Sequence, residues 1–573
     1  MFKKEIMFKD GYIEEYNRDC GYGSVAVRDI QEKNRTDSEA AIRCGGWNVR
    51  RLLDDQATDA IRDVSVYRVD VPEFGTYRLN VTITAEKEDV ENLFLFAGRR
   101  NLIDHGISIR RGKEYSRSFY QAVTPYIPAL CSQRSDDKCI FISVTGGRCS
   151  VSLEVTREDV PIIWVAGDST LTDQNAGIPY YPFGSCAGWA QTLQRFVEGA
   201  AVCNLAHSGM TTNCFRDDGH YDIVKEMIKP GDIFIMQFGH NDQKRRNLAA
   251  FGGYAENLRR YVKEIREFGA IPIICSPISR IPDRLSLDGE SYYSVLASHA
   301  KACRHVAQEL NVTFVDLHEK TFNKWTRDMK AAHDYFMPGD ITHTNEYGAV
   351  LISGYFMETM KNMPLFSNHR EFAALLPDMD TKVLPKELPG PDIFGLKPPY
   401  VDIEGISEYD GIKKAYSYGL LDPCVMHLHP YAPMPRAQLL MLLFRAFGKT
   451  GARPYIGIFE DISFDEWDAG YVQALINMGI ADVKERRFRP DEPLTYEEFE
   501  GYTTAFARME RLEVSHVFKR ADRINSGAEE PYGIAKDDEI TRAEVYMTLA
   551  NIMEMRGQVA KSAPADAEVH PVH

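Results

Sequence analysis

The chain lacks several features that would place it quickly. No uninterrupted apolar run approaches the roughly 18 residues of a membrane-spanning helix. The longest, such as Ile162–Ala166 and Ile233–Met236, are strand-sized. No secretory leader follows Lys3 and Lys4, because charged residues interrupt the stretch short of the about 7–15 apolar residues such a signal uses. The expectation is a cytoplasmic protein, with the cell surface as the alternative if the chain has been trimmed. The 11 cysteines are odd in number and scattered, and no CxxC pair occurs. That excludes a zinc ribbon and a thioredoxin-like motif and favours reduced thiols packed as small hydrophobes. No GxGxxG follows a first strand, which excludes a dinucleotide-binding enzyme. Basic excess is missing too. With 83 acidic and 67 basic residues the net charge is −16, so neither nucleic acid nor an anionic membrane is expected as a partner.

What is present is enough apolar material for several cores: 44% of 573 residues, or three to four domains at roughly 150 residues each. Residues 1–158 alternate apolar and polar positions in short runs, such as VSVYRVDV (64–71), TYRLNVTITA (76–85), KCIFISVTG (138–146) and CSVSLEVT (149–156). Strict alternation puts one face of each strand in a core, so an antiparallel β-sandwich is expected, read as a carbohydrate-binding-like domain. From 159 to 366 the pattern changes. IIWVAG (162–167), DIFIMQFG (232–239), IPIICSP (271–277) and VTFVDL (312–317) are continuous apolar runs, as strands buried on both faces should be. Helical segments at 188–199, 254–269 and 294–311 separate them, which implies parallel βαβ units in an α/β/α layered domain. Residues 367–402 carry Pro377, Pro385, Pro389, Pro391, Pro398 and Pro399, a density that predicts an extended linker. Residues 403–560 form an all-α region of three imperfect repeats, and 561–573 a disordered tail.

The strand IIWVAG runs straight into Asp168-Ser169-Thr170. The carboxyl end of a parallel strand is where α/β sheets place their ligands. A serine hydroxyl there needs a base, and PGDITHTNEYGA (338–349) supplies His343 with Asp340 three residues before it. Imidazole with an ordinary pKa near 6.5 accepts a proton at neutral pH, and the carboxylate holds the other ring nitrogen protonated. Attack on a carbonyl also builds an oxyanion. The Ser169 N–H, the Gly209 N–H in VCNLAHSGMTT (202–212) and the Asn241 amide in FGHND (238–242) are the expected donors. His240, beside Asn241, and Trp189, whose indole could stack on a sugar ring, are candidates for substrate contact. The competing readings are a loop hydrogen bond for His240 and core packing for Trp189. Asp340 is also read as a helix cap. KRR (244–246) is read as a solvated loop. No metal site is expected, because the Asp-x-x-His spacing lacks further ligands.

These blocks resemble a family. GDST with Ser169, SGM with Gly209, GHND with Asn241 and DITH with Asp340 and His343 match, in order, the four signature blocks of the SGNH, or GDSL-type, hydrolases. Their variant forms, with GWAQ (188–191), SPISR (276–280) and a CGYG segment (20–23), look like the rhamnogalacturonan acetylesterase branch. The resemblance spans roughly 1–366 and is most specific from 161 to 349. It implies a three-layer domain, no cofactor, and removal of O-acetyl groups from plant-polysaccharide-derived oligosaccharides of pectin, rhamnogalacturonan or hemicellulose type. The competing readings are an esterase or lipase on other small acyl esters and a wall-anchored carbohydrate-binding protein.

The helical repeats resemble S-layer homology domains. FEDISFDEW (459–467), INMGIAD (476–482) and FRPDEPLTYEE (488–498) follow that family's order, and ITRAE (540–544) is its short signature. The first unit reads MPRAQ and the second LTYEE, without the arginine. The resemblance implies anchoring to cell-wall polymer. Without a leader, the expectation is a degenerate module serving self-association or substrate approach.

Overall fold

The computed structural model describes residues 2–10, 15–27, 45–49, 63–127, 133–145, 148–178, 180–282, 292–337, 340–363, 366, 400–403, 405–418, 420–421, 428–449, 451–452, 455–463, 466–518, 520 and 535–562. The chain divides into two compact units. One comprises Met1–Pro282 with Ser294–Lys397, the other Asp283–Tyr293 with Pro398–His573.

In the first unit, alternation builds two antiparallel sheets. Their strands are β1 (Lys3–Phe8), β2 (Tyr22–Ser24), β4 (Val64–Asp70), β5 (Gly75–Thr84), β6 (Val90–Ala97), β7 (Asn101–Ile109), β8 (Glu114–Val123), β9 (Cys139–Thr145) and β10 (Ser150–Arg157), with the short β3 (Trp47–Val49) apart. The sheet orders are β1-β10-β5-β8 and β2-β4-β9-β6-β7. Strand β5 turns Tyr77, Leu79, Val81 and Ile83 inward and leaves Arg78 in solvent. These side chains join Val69, Leu93, Leu95, Ile140, Ile142 and Val144 of the facing sheet in one core.

Strand β6 departs from this rule. Leu93 to Ala97 are all fully buried, because the outer face of the five-stranded sheet is covered as well. Phe94 and Phe96, with Val66, Leu102 and Phe141, enter a core shared with Ile163, Val165 and Trp189. The Tyr180 ring lies edge-on to Trp47 at 5.3 Å, Phe94 at 5.5 Å and Phe96 at 5.7 Å. The sandwich strands and the parallel sheet below therefore share one interior within a single compact unit.

The parallel sheet consists of β11 (Ile162–Gly167), β13 (Ala201–Asn204), β14 (Ile233–Gln237), β15 (Ile271–Cys275) and β16 (Thr313–Val315), in the order β13-β11-β14-β15-β16. Its residues alternate between two cores. Ile163, Val165, Ile235 and Ile273 face the helix Glu346–Met360. Trp164, Phe234, Met236 and Ile274 face Leu258, Tyr261, Val262 and Val306, which lie on the helices Ala255–Glu267 and Ala297–Glu309. Both faces are covered, so the strands read as unbroken apolar runs. The segment at 188–199 forms a 3-10 helix, Trp189–Phe196, with all eight residues buried. Strand β12 (Ala176–Ile178) pairs in parallel with β3 and ties the loop after Ser169 to the sandwich segment.

The second unit is helical. Its main helices are Tyr409–Ser417, Arg436–Ala446, Ala469–Asn477, Tyr496–Met509 and Arg542–Ser562. The segments that open three of them touch one another through the bridges Pro433–Thr541, Pro435–Pro493 and Thr495–Glu539. Thr495 with Glu498, and Thr541 with Glu544, close reciprocal capping boxes. The Asp461 carboxylate accepts the N–H groups of Phe488 and Arg489. One repeat earlier, Asp402 accepts those of Leu428 and His429. Tyr400 and Ile403 are core residues, so the first repeat begins by 400 and the expected linker is shorter than 367–402. Residues 367–399, the tail beyond 562, and Cys44, Cys131 and Cys424 lie outside the described residues.

The shared interior makes a test. Phe96→Ala, a change in the sandwich, should cost about 3–5 kcal/mol. Urea unfolding followed by tryptophan fluorescence and by esterase activity should shift together. A loss of sandwich structure that leaves the activity transition unmoved would contradict the single body.

Candidate active site

The sheet order places the site. Strand β11 lies between β13 and β14, so the chain reverses its direction of progress across the sheet there. Open α/β sheets bind ligands at the carboxyl ends of strands flanking such a reversal. Ser169 follows β11, Gly209 lies on the loop after β13, and Asn241 on the loop after β14. Asp340 and His343 come from the loop before the helix Glu346–Met360. The Asn345 side chain caps that helix by accepting the Gly348 N–H at 3.1 Å. Asp340 does not cap it; its Oδ1 accepts the N–H groups of Thr342 at 2.6 Å and His343 at 3.3 Å and closes the turn locally.

The structure brings Ser169, His343 and Asp340 together. Ser169 Oγ lies 2.9 Å from His343 Nε2, and His343 Nδ1 lies 2.7 Å from Asp340 Oδ2. Burial alone would push the Asp340 carboxyl up. The His343 charge, its hydrogen bond and the two backbone N–H groups outweigh that and hold it below the usual carboxylate range. An ionised carboxylate only accepts, so the neutral imidazole carries its proton on Nδ1. Nε2 is then left to accept from the Ser169 hydroxyl.

The three donors come from loops that side chains tie together. Gln174 Nε2 donates to the Ser169 carbonyl at 3.1 Å and to Ser208 Oγ at 3.2 Å. Asn241 Nδ2 donates to the Met210 carbonyl at 3.1 Å, and Lys244 Nζ donates to Asn241 Oδ1 at 3.1 Å. Lys244 has no acceptor capacity, so it fixes which way the Asn241 amide faces, and among the described residues one Nδ2 hydrogen is uncommitted. Lys244 and Arg245 are exposed, as a solvated loop requires, and the bond to Asn241 is a contact the sequence did not reveal. Gly209 has φ +82°, a left-handed backbone that favours glycine. An added Cβ there would meet nothing within 4 Å, so conformation rather than space demands the glycine. Among the described residues no group of three His, Cys, Asp or Glu is placed to hold a metal.

Beneath the serine lies a buried polar layer. Asp168 Oδ1 accepts from Thr170 N at 3.0 Å and Thr170 Oγ1 at 2.7 Å, and Oδ2 pairs with His240 Nδ1 at 3.3 Å. Burial pulls His240 down, against the pull of Asp168. Its ring is 2% exposed, and its pairing with Asp168 braces the loop, the structural reading that the sequence set beside substrate contact. Trp189 likewise packs in the core. It is fully buried, stacked on Phe356 at 5.3 Å, with Nε1 donating to Gln237 Oε1 at 3.0 Å, and no face is left for a sugar. Asp242, missed in the sequence although it follows Asn241, takes the Thr212 N–H at 2.9 Å and hydroxyl at 2.7 Å on Oδ1. Its Oδ2 is buried without a partner among the described residues.

Burial pushes the Asp242 carboxyl up to about 7 against those two bonds, with the Asp168 charge adding to the rise. An acid raised on folding contributes stability that is fully present below its unfolded pKa, near 3.8, and lost as pH rises through about 7. Asp242→Asn keeps the acceptor for Thr212 and removes the ionisation. It should match the parent near pH 4 and exceed it by up to about 4 kcal/mol at pH 8. Urea unfolding across that range checks this, and a constant difference would contradict it.

Two family profiles match the chain. One, the GDSL-like lipase/acylhydrolase family, covers residues 165–351. The other, the S-layer homology domain, covers 459–500, the middle repeat. That second match overturns the cytoplasmic expectation, since such a domain points to attachment at the cell surface. A rhamnogalacturonan acetylesterase of Bacillus subtilis is 30% identical over 218 residues, covering 35% of this chain and 90% of the relative. A probable rhamnogalacturonan acetylesterase of the same organism is 28% identical, covering 33% and 86%. An uncharacterized esterase of that organism is 28% identical, covering 35% and 51%. The chain belongs to the GDSL-like lipase/acylhydrolase family and is an ester hydrolase related to carbohydrate acetylesterases.

Proposed function

We propose that the protein removes O-acetyl groups from plant-polysaccharide-derived oligosaccharides, with Ser169 as nucleophile, His343 as general base and Asp340 as its orienting partner. The observation that carries this reading is the relay from Ser169 Oγ to His343 Nε2 at 2.9 Å and from Nδ1 to Asp340 Oδ2 at 2.7 Å. His343 takes the serine proton as Oγ attacks the acetyl carbonyl. The Ser169 and Gly209 N–H groups and the remaining Asn241 amide hydrogen stabilise the oxyanion. Collapse releases the sugar hydroxyl, protonated by His343. Water activated by the same base then frees acetate and restores Ser169. The similarity to rhamnogalacturonan acetylesterases supports an acetylated pectin-type substrate. The S-layer homology match supports a cell-wall polymer as partner of the second unit, which would hold the enzyme where plant debris meets the cell.

Ser169→Ala should lower kcat on an aryl acetate by about 10⁴–10⁶-fold, and Asn241→Ala by about 10²–10³-fold. A Ser169→Ala protein with parental turnover would sink the mechanism. Acetate release from acetylated rhamnogalacturonan oligosaccharides should exceed that from acetylated xylan and mannan oligosaccharides. Faster cleavage of octanoyl than acetyl esters would favour a general esterase instead. The full chain should sediment with purified bacterial cell walls, and its recovery entirely in the soluble fraction would refute the wall role.

A further inference from the structure

The turn joining β6 to β7 is built in a way that a free-standing sandwich does not require. Gly98 and Arg100 both have left-handed backbones, φ +57° and +60°, a conformation that disfavours a long side chain. The turn nevertheless sends three consecutive side chains into the hydrolase. Arg99 pairs with Asp173 at 2.9 Å, and Asn101 donates to the same carboxylate at 2.8 Å. Arg100 goes deepest and is fully buried. Its Nε donates to the Gln174 carbonyl at 3.1 Å, Nη1 to Glu346 Oε2 at 2.9 Å, and Nη2 to the Cys186 carbonyl at 2.7 Å. Tyr180 donates to the same Glu346 oxygen.

These partners lie on both sides of the reaction centre. Gln174 is the residue whose side chain holds the Ser169 carbonyl and Ser208 beside Gly209. Its backbone is clamped further by Gln191, which accepts the Gln174 N–H at 3.1 Å and donates to its carbonyl at 3.0 Å. Glu346 opens the helix that follows His343. Cys186 bridges to Asn345, and the Ala187 N–H donates to the Thr344 carbonyl at 3.1 Å. One guanidinium thus grips the nucleophile loop through Gln174 and the base loop through Glu346 and Cys186.

The geometry points to Arg100 as a positioning residue that sets the distance between Ser169 and His343, making the sandwich a working part of the esterase rather than an appended sugar-binding module. This rests on the triad reading above. A planar fork with several fixed donors does what an ammonium cannot, so Arg100→Lys keeps the charge beside Glu346 but releases at least one loop. Displacements of about 1 Å at a reacting pair cost on the order of 10²-fold in rate.

The test measures kcat per active serine, counted by titration with an organophosphonate, for Arg100→Lys, Gln174→Met and the double variant on an aryl acetate, with Ser169→Ala alongside. Arg100→Lys and Gln174→Met should each lower kcat by about 10–100-fold with KM within twofold. The double variant should be little worse than either, because both break one line of contacts. A folded Arg100→Lys enzyme with kcat per serine within threefold of the parent overturns the inference. Should that variant fail to fold, Gln174→Met within threefold overturns it equally, since the line to Ser169 runs through Gln174. An active Ser169→Ala would instead mark failure of the triad reading, whatever Arg100 does.

Discussion

From Leu93 to Ala97 strand β6 has no face for water, and much else depends on that constraint. Burying Phe94 and Phe96 on one side and Leu93 and Leu95 on the other fixes the five-stranded sheet between two cores. A sheet so held cannot slip by one residue without turning one set of aromatic rings into the wrong interior. The turn at its end is therefore a rigid point, and a rigid point is what a buried guanidinium needs. Taking Arg100 and Glu346 out of water is costly. It is tolerated because Arg100 is met by Gln174, Cys186 and Glu346 within hydrogen-bond distance.

The hydrolase sheet follows the same logic at the site itself. Continuous apolar strands hold β11 and β14 rigid, so the loops at their ends need only short polar ties. Asp168 with His240, Asp242 with Thr212, Gln174 with Ser208 and Asn241 with Met210 each join two loops. The layer beneath Ser169 is thus a set of cross-links between neighbouring strand ends, and the site inherits its precision from the sheet rather than from any one loop.

Part of this was legible in the residues. Period-two alternation in β5 and unbroken runs in β11 and β14 carried the two sheet types, because burial on one face or two leaves a direct imprint on sequence. Ser169, Asp340 and His343, which the fold places within hydrogen-bond reach of one another, could be picked out because the chemistry calls for particular residue types: a serine at a strand end and an Asp-x-x-His pair just before a helix. For His240 and Trp189 two readings stood open, because either side chain serves a substrate-facing site as well as a buried brace and composition does not reveal exposure; the fold buries both. The shared core was missed although LFLFA (93–97) breaks the alternation around it. That break was its signal. Arg100 gave none, since an arginine in a turn is ordinarily solvated, and only the fold places it against Gln174 and Glu346. The start of the helical repeats was set too late because proline density masked the match between Asp402 and Asp461.

The central claim is that chemistry passes through a covalent acetyl group on Ser169, formed with His343 as base. Rapid quenching of the enzyme during turnover of an activated acetyl ester, followed by intact-mass and peptide analysis, tests it most directly. One acetyl group per chain on the peptide containing Ser169, lost on standing and absent in the His343→Ala protein, is the predicted result. Full turnover with no covalent adduct, or an acetyl group carried by another residue, would contradict the account.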